Sequence, residues 1–288
     1  MSLGLEGVLT LSSGRRLGWA EYGVRGGRPV LAFHGLPGSR RQRHPDDAIA
    51  IALGARTLHL ERPGFGLSDP APGRTLAGWA QDVAEACDLL GVGAMRICGV
   101  SGGGPYALAC AAALGARVER VAVVSGIGAP NSMRGADWSP LVRLGFALAP
   151  RASWSLRPLT GLACVVARRL PERYFELLGL GLNATDRRVF ARREIREMFV
   201  EDMSEAFAQS GGAMNDDLAL VASPWGFDPG TIRAPLALWH GSEDRIVPAP
   251  AAQATAARVP AAELRLLPSE GHFLVFERWR EILGWLLE

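Results

Sequence analysis

The chain reads as an α/β protein: a mostly parallel central sheet with helices on both faces, interrupted by a helical insertion. Three observations predict this. Short, continuous apolar runs at Val30–Phe33, Arg56–Leu60, Met95–Val100 and Val121–Ser125 stop abruptly, as strands covered on both faces do. Between them, Leu76–Leu90 and Pro105–Leu114 carry helical spacing and good helix formers, and strand–helix alternation implies parallel order. The alternation then lapses at about Asn131 and resumes only at Leu236.

In chain order, Gly7–Leu11 and Arg16–Tyr22 form a hairpin turned at Ser12-Ser13-Gly14-Arg15. The four apolar strands follow. The lapse is helical in composition, with segments at Leu141–Leu148, Leu156–Arg169, Glu172–Leu178 and the charged Asp186–Gln209. In the last of these, Asp186, Glu194, Glu197, Glu201 and Asp202 interleave with arginines at i, i+4 distances, which predicts a solvated helix face. Strand Leu236–Trp239, helix Ala251–Arg258, strand Leu264–Leu267 and helix Phe276–Leu287 complete the pattern. The division is therefore 1–130 for the first part of a core, 131–224 for the insertion and 225–288 for the rest of the core.

Composition narrows the chemistry. With 288 residues, 48% hydrophobic and a net charge of +2, the chain buries a large core and is not disordered. All 31 basic residues are Arg. The absence of Lys excludes a P-loop phosphate lysine, Schiff-base catalysis and lysine-anchored pyridoxal phosphate, and G-x-G-x-x-G is missing too. Balanced charge argues against a nucleic-acid partner. The longest apolar run, Pro105–Ala116, is too short to span a bilayer, so no membrane association is expected. Met1 to Thr10 lack the marks of a signal peptide, and Cys87, Cys98, Cys110 and Cys164 form no C-x-x-C. Buried, reduced thiols in a cytoplasmic protein are the expectation.

Gly99-Val100-Ser101-Gly102-Gly103 is a G-x-S-x-G placed between an apolar strand and a helix-forming run. A serine on such a turn is forced out of the sheet edge, over the N-terminus of the next helix. A serine nucleophile needs a base, and the base needs an acid to orient it. His272, in Glu270-Gly271-His272-Phe273 after the last strand, lies in a carboxyl-edge loop where ligands bind in open α/β sheets. His240 ends a strand and reads as structural; His44 and His59 sit in no motif. Asp244, in the loop after Leu236–Trp239, is the expected acid, with Glu243 as its competitor. No metal-ligand spacing is present, and no metal or cofactor is expected. Donors for a tetrahedral oxyanion are the N–H of Gly102 and one from His34-Gly35-Leu36-Pro37-Gly38. Pro37 has no N–H, which leaves Leu36.

With that loop the chain resembles the α/β-hydrolase fold superfamily. Five motifs carry the resemblance in order: His34–Gly38, Glu61–Ser68, Gly99–Gly103, His240–Pro248 and Gly271-His272-Phe273. The resemblance implies that His34 and Gly35 support the oxyanion loop, that Arg62–Ser68 lies beside the site without doing chemistry, and that the insertion is a cap that sets substrate choice. Ser101 stands where haloalkane dehalogenases and epoxide hydrolases carry Asp, which leaves carbonyl substrates. The expected activity is hydrolysis of a small to medium carboxylic ester through an acyl-enzyme, with a small-molecule substrate as the partner. Alternatives on the same triad are an aminopeptidase or a C–C bond hydrolase, and a non-catalytic binding homologue is a third. An aminopeptidase resembling the proline iminopeptidases needs cap acids for the substrate amine. Asp137, Asp202, Asp216 and Asp217 are the candidates, with surface solvation the expected state of each. Trp138, Phe146, Trp154, Phe175, Phe199 and Met203 supply a cap core and potential pocket wall. The insertion holds 12 Arg against 11 acids, so no net field selects a charged substrate.

Overall fold

The computed structural model describes residues 4–130 and 140–288. Eight strands form one sheet: β1 (Leu5–Thr10), β2 (Arg16–Gly23), β3 (Arg28–Phe33), β4 (Ala55–Leu60), β5 (Met95–Val100), β6 (Val118–Val124), β7 (Leu236–Gly241) and β8 (Ala262–Leu267). Their spatial order is β1-β2-β4-β3-β5-β6-β7-β8. The β1–β2 and β2–β4 pairs are antiparallel, and every pair from β4 to β8 is parallel. The helices are α1 (Asp47–Ala52), α2 (Leu76–Leu89), α3 (Gly104–Leu114), α4 (Pro140–Ala152), α5 (Arg157–Arg169), α6 (Pro171–Gly179), α7 (Ala184–Phe190), α8 (Arg193–Ala206), α9 (Gly212–Val221), α10 (Pro250–Ala256) and α11 (Val275–Leu287).

The strands read as unbroken apolar runs because both faces are covered. Leu31, Phe33, Leu58 and Leu60 face Leu76, Trp79 and Val83 of α2 and Tyr106 and Leu108 of α3. The alternate residues Val30, Cys98, Ala122, Val124 and Trp239 face Trp279, Ile282, Leu283 and Leu286 of α11. Thr75 stops α2 at its N-terminus, its hydroxyl accepting the Gly78 N–H at 2.9 Å. All four cysteines are buried and unpaired.

Between β6 and β7 the described residues carry α4 to α9 and no strand. Two helices were not foreseen. The first, α1, has only six residues. The second, α9, opens on Gly211-Gly212 and contains Asn215, Asp216 and Asp217, all poor helix formers. The charged segment divides into α7 and α8 at Ala191-Arg192. Among the described residues no helix is long and apolar enough to cross a membrane.

Strand β3 has β4 on one side and β5 on the other, so the loops that leave β3 and β5 diverge from neighbouring carboxyl ends. Phe33 pairs with Gly99, which places His34–Gly38 directly beside Ser101. Such a switch point leaves a crevice at the sheet edge.

Burial ranks what these parts contribute. Replacing fully buried Ile97 of β5 by Ala should cost about 2–5 kcal/mol. Replacing Leu144, 53% exposed on α4, should change stability by less than about 0.5 kcal/mol. Urea titration compares the two; equal midpoint shifts would contradict this packing.

Candidate active site

Ser101 follows β5 and has φ +51°, a left-handed conformation that costs an L-residue roughly 1–2 kcal/mol. The glycines around it make that turn sterically feasible. A β-carbon on Gly99 would lie 2.6 Å from the Gly103 carbonyl oxygen, and one on Gly103 would lie 2.3 Å from that of Phe33. The turn passes at once into α3, whose first helical turn carries Pro105.

His272 Nε2 lies 3.0 Å from Ser101 Oγ, and His272 Nδ1 lies 2.8 Å from Asp244 Oδ2. Asp244 is buried, and its other oxygen accepts the N–H groups of Ile246 at 2.9 Å and Val247 at 2.8 Å. The competitor Glu243 has an exposed side chain, and its carbonyl accepts from Asn183 Nδ2. Burial opposes a charged imidazole at His272, but the charge and hydrogen bond of Asp244, helped by Asp186, hold its pKa above the ordinary 6.5. His240 donates to the Val247 carbonyl at 2.7 Å, and burial lowers its pKa. It is a strut of the acid loop.

The loop His34–Gly38, expected to carry an oxyanion donor, packs against this turn. A β-carbon on Gly102 would meet Leu36 N at 3.3 Å, and one on Gly35 would meet Ser101 Cβ at 3.6 Å. The buried ring of His34 receives the Arg62 N–H on Nε2 at 3.2 Å and bonds the Gly35 carbonyl through Nδ1 at 2.9 Å. These contacts assign the Nδ1–H tautomer. Burial, reinforced by the Arg62 charge, pushes the pKa of His34 well below the ordinary value.

Three aspartates of the insertion correct the expectation of surface solvation. Asp186, Asp202 and Asp217 are 1%, 0% and 0% exposed. Asp186 accepts the Phe273 N–H at 2.9 Å and that of His272, fixing the histidine loop. It sits so close that a β-carbon on Gly271 would lie 2.3 Å from its carboxylate. Asp202 accepts the N–H and hydroxyl of Ser39, both at 2.7 Å, and Gln42 Nε2 at 2.8 Å. Burial still pushes its carboxyl up to about 7. Asp217 takes Arg62 Nε at 2.6 Å, Arg74 Nη2 at 2.7 Å and Tyr106 Oη at 2.6 Å. Only Asp216 is exposed as expected; Asp137 lies outside the described residues. The i, i+4 charge pattern missed the burial, although apolar spacing carried a signal. Asp202 falls on the stripe Ile195, Met198, Ala206, and Asp217 lies midway between Ala213 and Val221.

Of the aromatic residues expected in the insertion, Phe175 and Phe199 are buried, whereas Trp154 is 70% exposed and Trp138 lies outside the described residues. Phe175 stacks on Phe190 at 4.6 Å, and Phe190 and Phe199 reach Phe273 at 4.5 and 5.6 Å between ring centres. Phe273 in turn stands edge-on to His272. The sequence reading had given neither Phe190 nor Phe273 a part in this wall.

A profile of the alpha/beta hydrolase fold family matches residues 28–278. The chain belongs to this family. Among curated proteins it is similar to a non-heme chloroperoxidase of Streptomyces lividans, 34% identical over 138 residues, which cover 46% of this chain and 49% of that protein. The chain thus spans about half the length of that relative. It is also similar to a 2-hydroxymuconate semialdehyde hydrolase of Pseudomonas putida, 26% identical over 93% of this chain and 88% of that one. Among solved structures, a thermophilic esterase from Thermogutta terrifontis shares the alpha/beta hydrolase fold with a TM-score of 0.67 and 24% identity over 98% of both chains.

The raised pKa of His272 gives a signed expectation for turnover. A protonated imidazole cannot take the Ser101 proton, so kcat/KM should fall toward acid with a midpoint above 6.5. Asp244→Asn removes the main raising cause. It should move that midpoint down and lower kcat by roughly 10⁴-fold through the wrong tautomer. A pH–rate profile with its acid midpoint unchanged in Asp244→Asn would contradict the assignment.

Proposed function

We propose that the protein is a serine hydrolase that cleaves a small to medium carboxylic ester through an acyl-enzyme. The observation that carries this reading is the unbroken line Asp244 Oδ2–His272–Ser101 Oγ, with 2.8 and 3.0 Å links. In this mechanism His272 Nε2 takes the Ser101 proton as Oγ attacks the ester carbonyl carbon. Asp244 holds the Nδ1–H tautomer and stabilises the imidazolium. The tetrahedral oxyanion accepts the N–H groups of Leu36 and Gly102. As it collapses, the alkoxide leaves with the proton from His272, and water repeats the sequence on the acyl-enzyme. Nucleophile, base and oxyanion donors all come from the chain, so no cofactor enters. The helical insertion, 131–224, serves as the cap, and Phe190, Phe199 and Phe273 supply an apolar wall beside His272. A cytoplasmic location is part of the proposal, supported by the four unpaired buried thiols.

Two of the four acids that the peptidase alternative could use, Asp202 and Asp217, are already occupied by internal donors, which weighs against that alternative. Carbon–carbon bond hydrolysis is the second reading, favoured by the similarity to the semialdehyde hydrolase over 93% of this chain.

The test combines labelling with a substrate panel. A fluorophosphonate should modify wild-type protein at Ser101 and leave Ser101→Ala unlabelled and folded. p-Nitrophenyl esters of graded acyl length should be turned over by wild type alone. Equal rates from both proteins would favour a binding role. A vinylogous diketone preferred over every ester by 100-fold, about 2.7 kcal/mol in transition-state binding, would move the assignment to the second reading.

A further inference from the structure

We infer that the oxyanion loop is held in its working orientation from the cap, by Asp217 acting through Arg62 and Asp202 acting through Gln42. The inference rests on the serine-hydrolase reading above and adds four positioning residues to it.

Two consecutive peptide groups are gripped. In the 35–36 peptide, the Gly35 carbonyl accepts Arg62 Nη2 at 2.7 Å. The N–H of a trans peptide points opposite to its carbonyl, so this contact turns the Leu36 N–H away from Arg62. In the 34–35 peptide, the His34 carbonyl accepts Arg62 Nη1 at 2.5 Å, and the Gly35 N–H donates to Gln42 Oε1 at 2.5 Å. Neither gripping side chain is free to turn. Arg62 Nε donates to Asp217 at 2.6 Å, and Gln42 Nε2 donates to Asp202 at 2.8 Å. The polarity of Gln42 is dictated at both ends, by a donor at Gly35 and a carboxylate on α8.

Seating a cap does not require this arrangement. Burying charge is costly, and apolar contacts hold helices together without that cost. Buried carboxylates add direction, because each hydrogen bond in the two chains has a fixed donor and a fixed acceptor. Charge contributes as well. Arg62 and Arg74 share the carboxylate of Asp217, and the Arg62 guanidinium borders the Gly35 carbonyl. It polarises the 35–36 peptide and strengthens the Leu36 N–H as a donor.

Hydrogen-bond polarity supplies a test that packing alone would not pass. Asp202→Asn keeps volume but sets an amide between an obligate donor, the Ser39 N–H, and the Gln42 amide. Whichever way the new amide and Gln42 turn, one donor faces another at Ser39, Gln42 or Gly35. Adding Gln42→Glu restores every pair with the wild-type net charge. The carboxylate at position 42 then accepts both the amide at 202 and the Gly35 N–H. With p-nitrophenyl acetate, Asp202→Asn should lower kcat by about tenfold or more with KM within about twofold, and the double variant should return to within about threefold of wild type. The Gly35 amide proton, followed by NMR, should move in the single variant and return in the double. An unchanged kcat in Asp202→Asn, or a folded double variant no faster than the single, overturns the inference. Should Asp202→Asn not fold, the double variant decides alone: folded and active supports the relay, unfolded or inactive overturns it. If wild type neither turns over esters nor labels at Ser101, the hydrolase reading fails, and the Gly35 resonance alone then judges the hydrogen-bond relay.

Discussion

A β-carbon at Gly103 would lie 2.3 Å from the Phe33 carbonyl oxygen, and one at Gly99 would lie 2.6 Å from the Gly103 oxygen. The turn carrying Ser101 is thus packed backbone against backbone onto the end of β3. That approach requires glycine on both sides of the serine and holds Ser101 at a positive φ. It also brings the loop after β3 alongside the serine, because β3 and β5 are adjacent parallel strands. The remaining parts of the site are arranged around this contact. The acid and histidine loops arrive from β7 and β8, which lie further along the same sheet edge.

Charge is distributed unevenly around that centre. Asp244 is buried with its oxygens divided between backbone donors and the imidazole, which fixes the orientation of the His272 ring. Asp186, Asp202 and Asp217 are also buried, and each binds a segment of the core: Asp186 the Phe273 N–H, Asp202 the side chain of Gln42, Asp217 the guanidinium of Arg62. Removing one partner from a buried ion pair such as Arg62–Asp217 costs about 3–5 kcal/mol. The same links join helices α8 and α9, through Gln42 and Arg62, to the loop that follows β3.

Much of this was legible in the sequence for a simple reason. Continuous apolar runs ending in glycine-bearing turns have few folded solutions, and Ser101, Asp244 and His272 all occupy loops at strand ends. Asp244 was preferred to Glu243, which stayed as its competitor; the structure buries Asp244 at 2.8 Å from His272 Nδ1 and leaves the Glu243 side chain exposed. The burial of Asp186, Asp202 and Asp217 was misread, because charge spacing along a helix describes which ions pair and not which face docks. Arg62 was read from the family resemblance as part of a turn beside the site; its guanidinium also reaches the carbonyls of His34 and Gly35. Gln42 carried no signal at all. Its part depends on the fold bringing α8 against the segment that follows β3.

The most direct measurement is a crystal structure of the protein after reaction with a fluorophosphonate, whose phosphonyl oxygen stands in for the tetrahedral oxyanion. The account predicts phosphorus bonded to Ser101 Oγ, with that oxygen about 2.7–3.1 Å from the backbone nitrogens of both Leu36 and Gly102. An adduct on another residue, or a phosphonyl oxygen turned away from the Leu36 N–H, would contradict it.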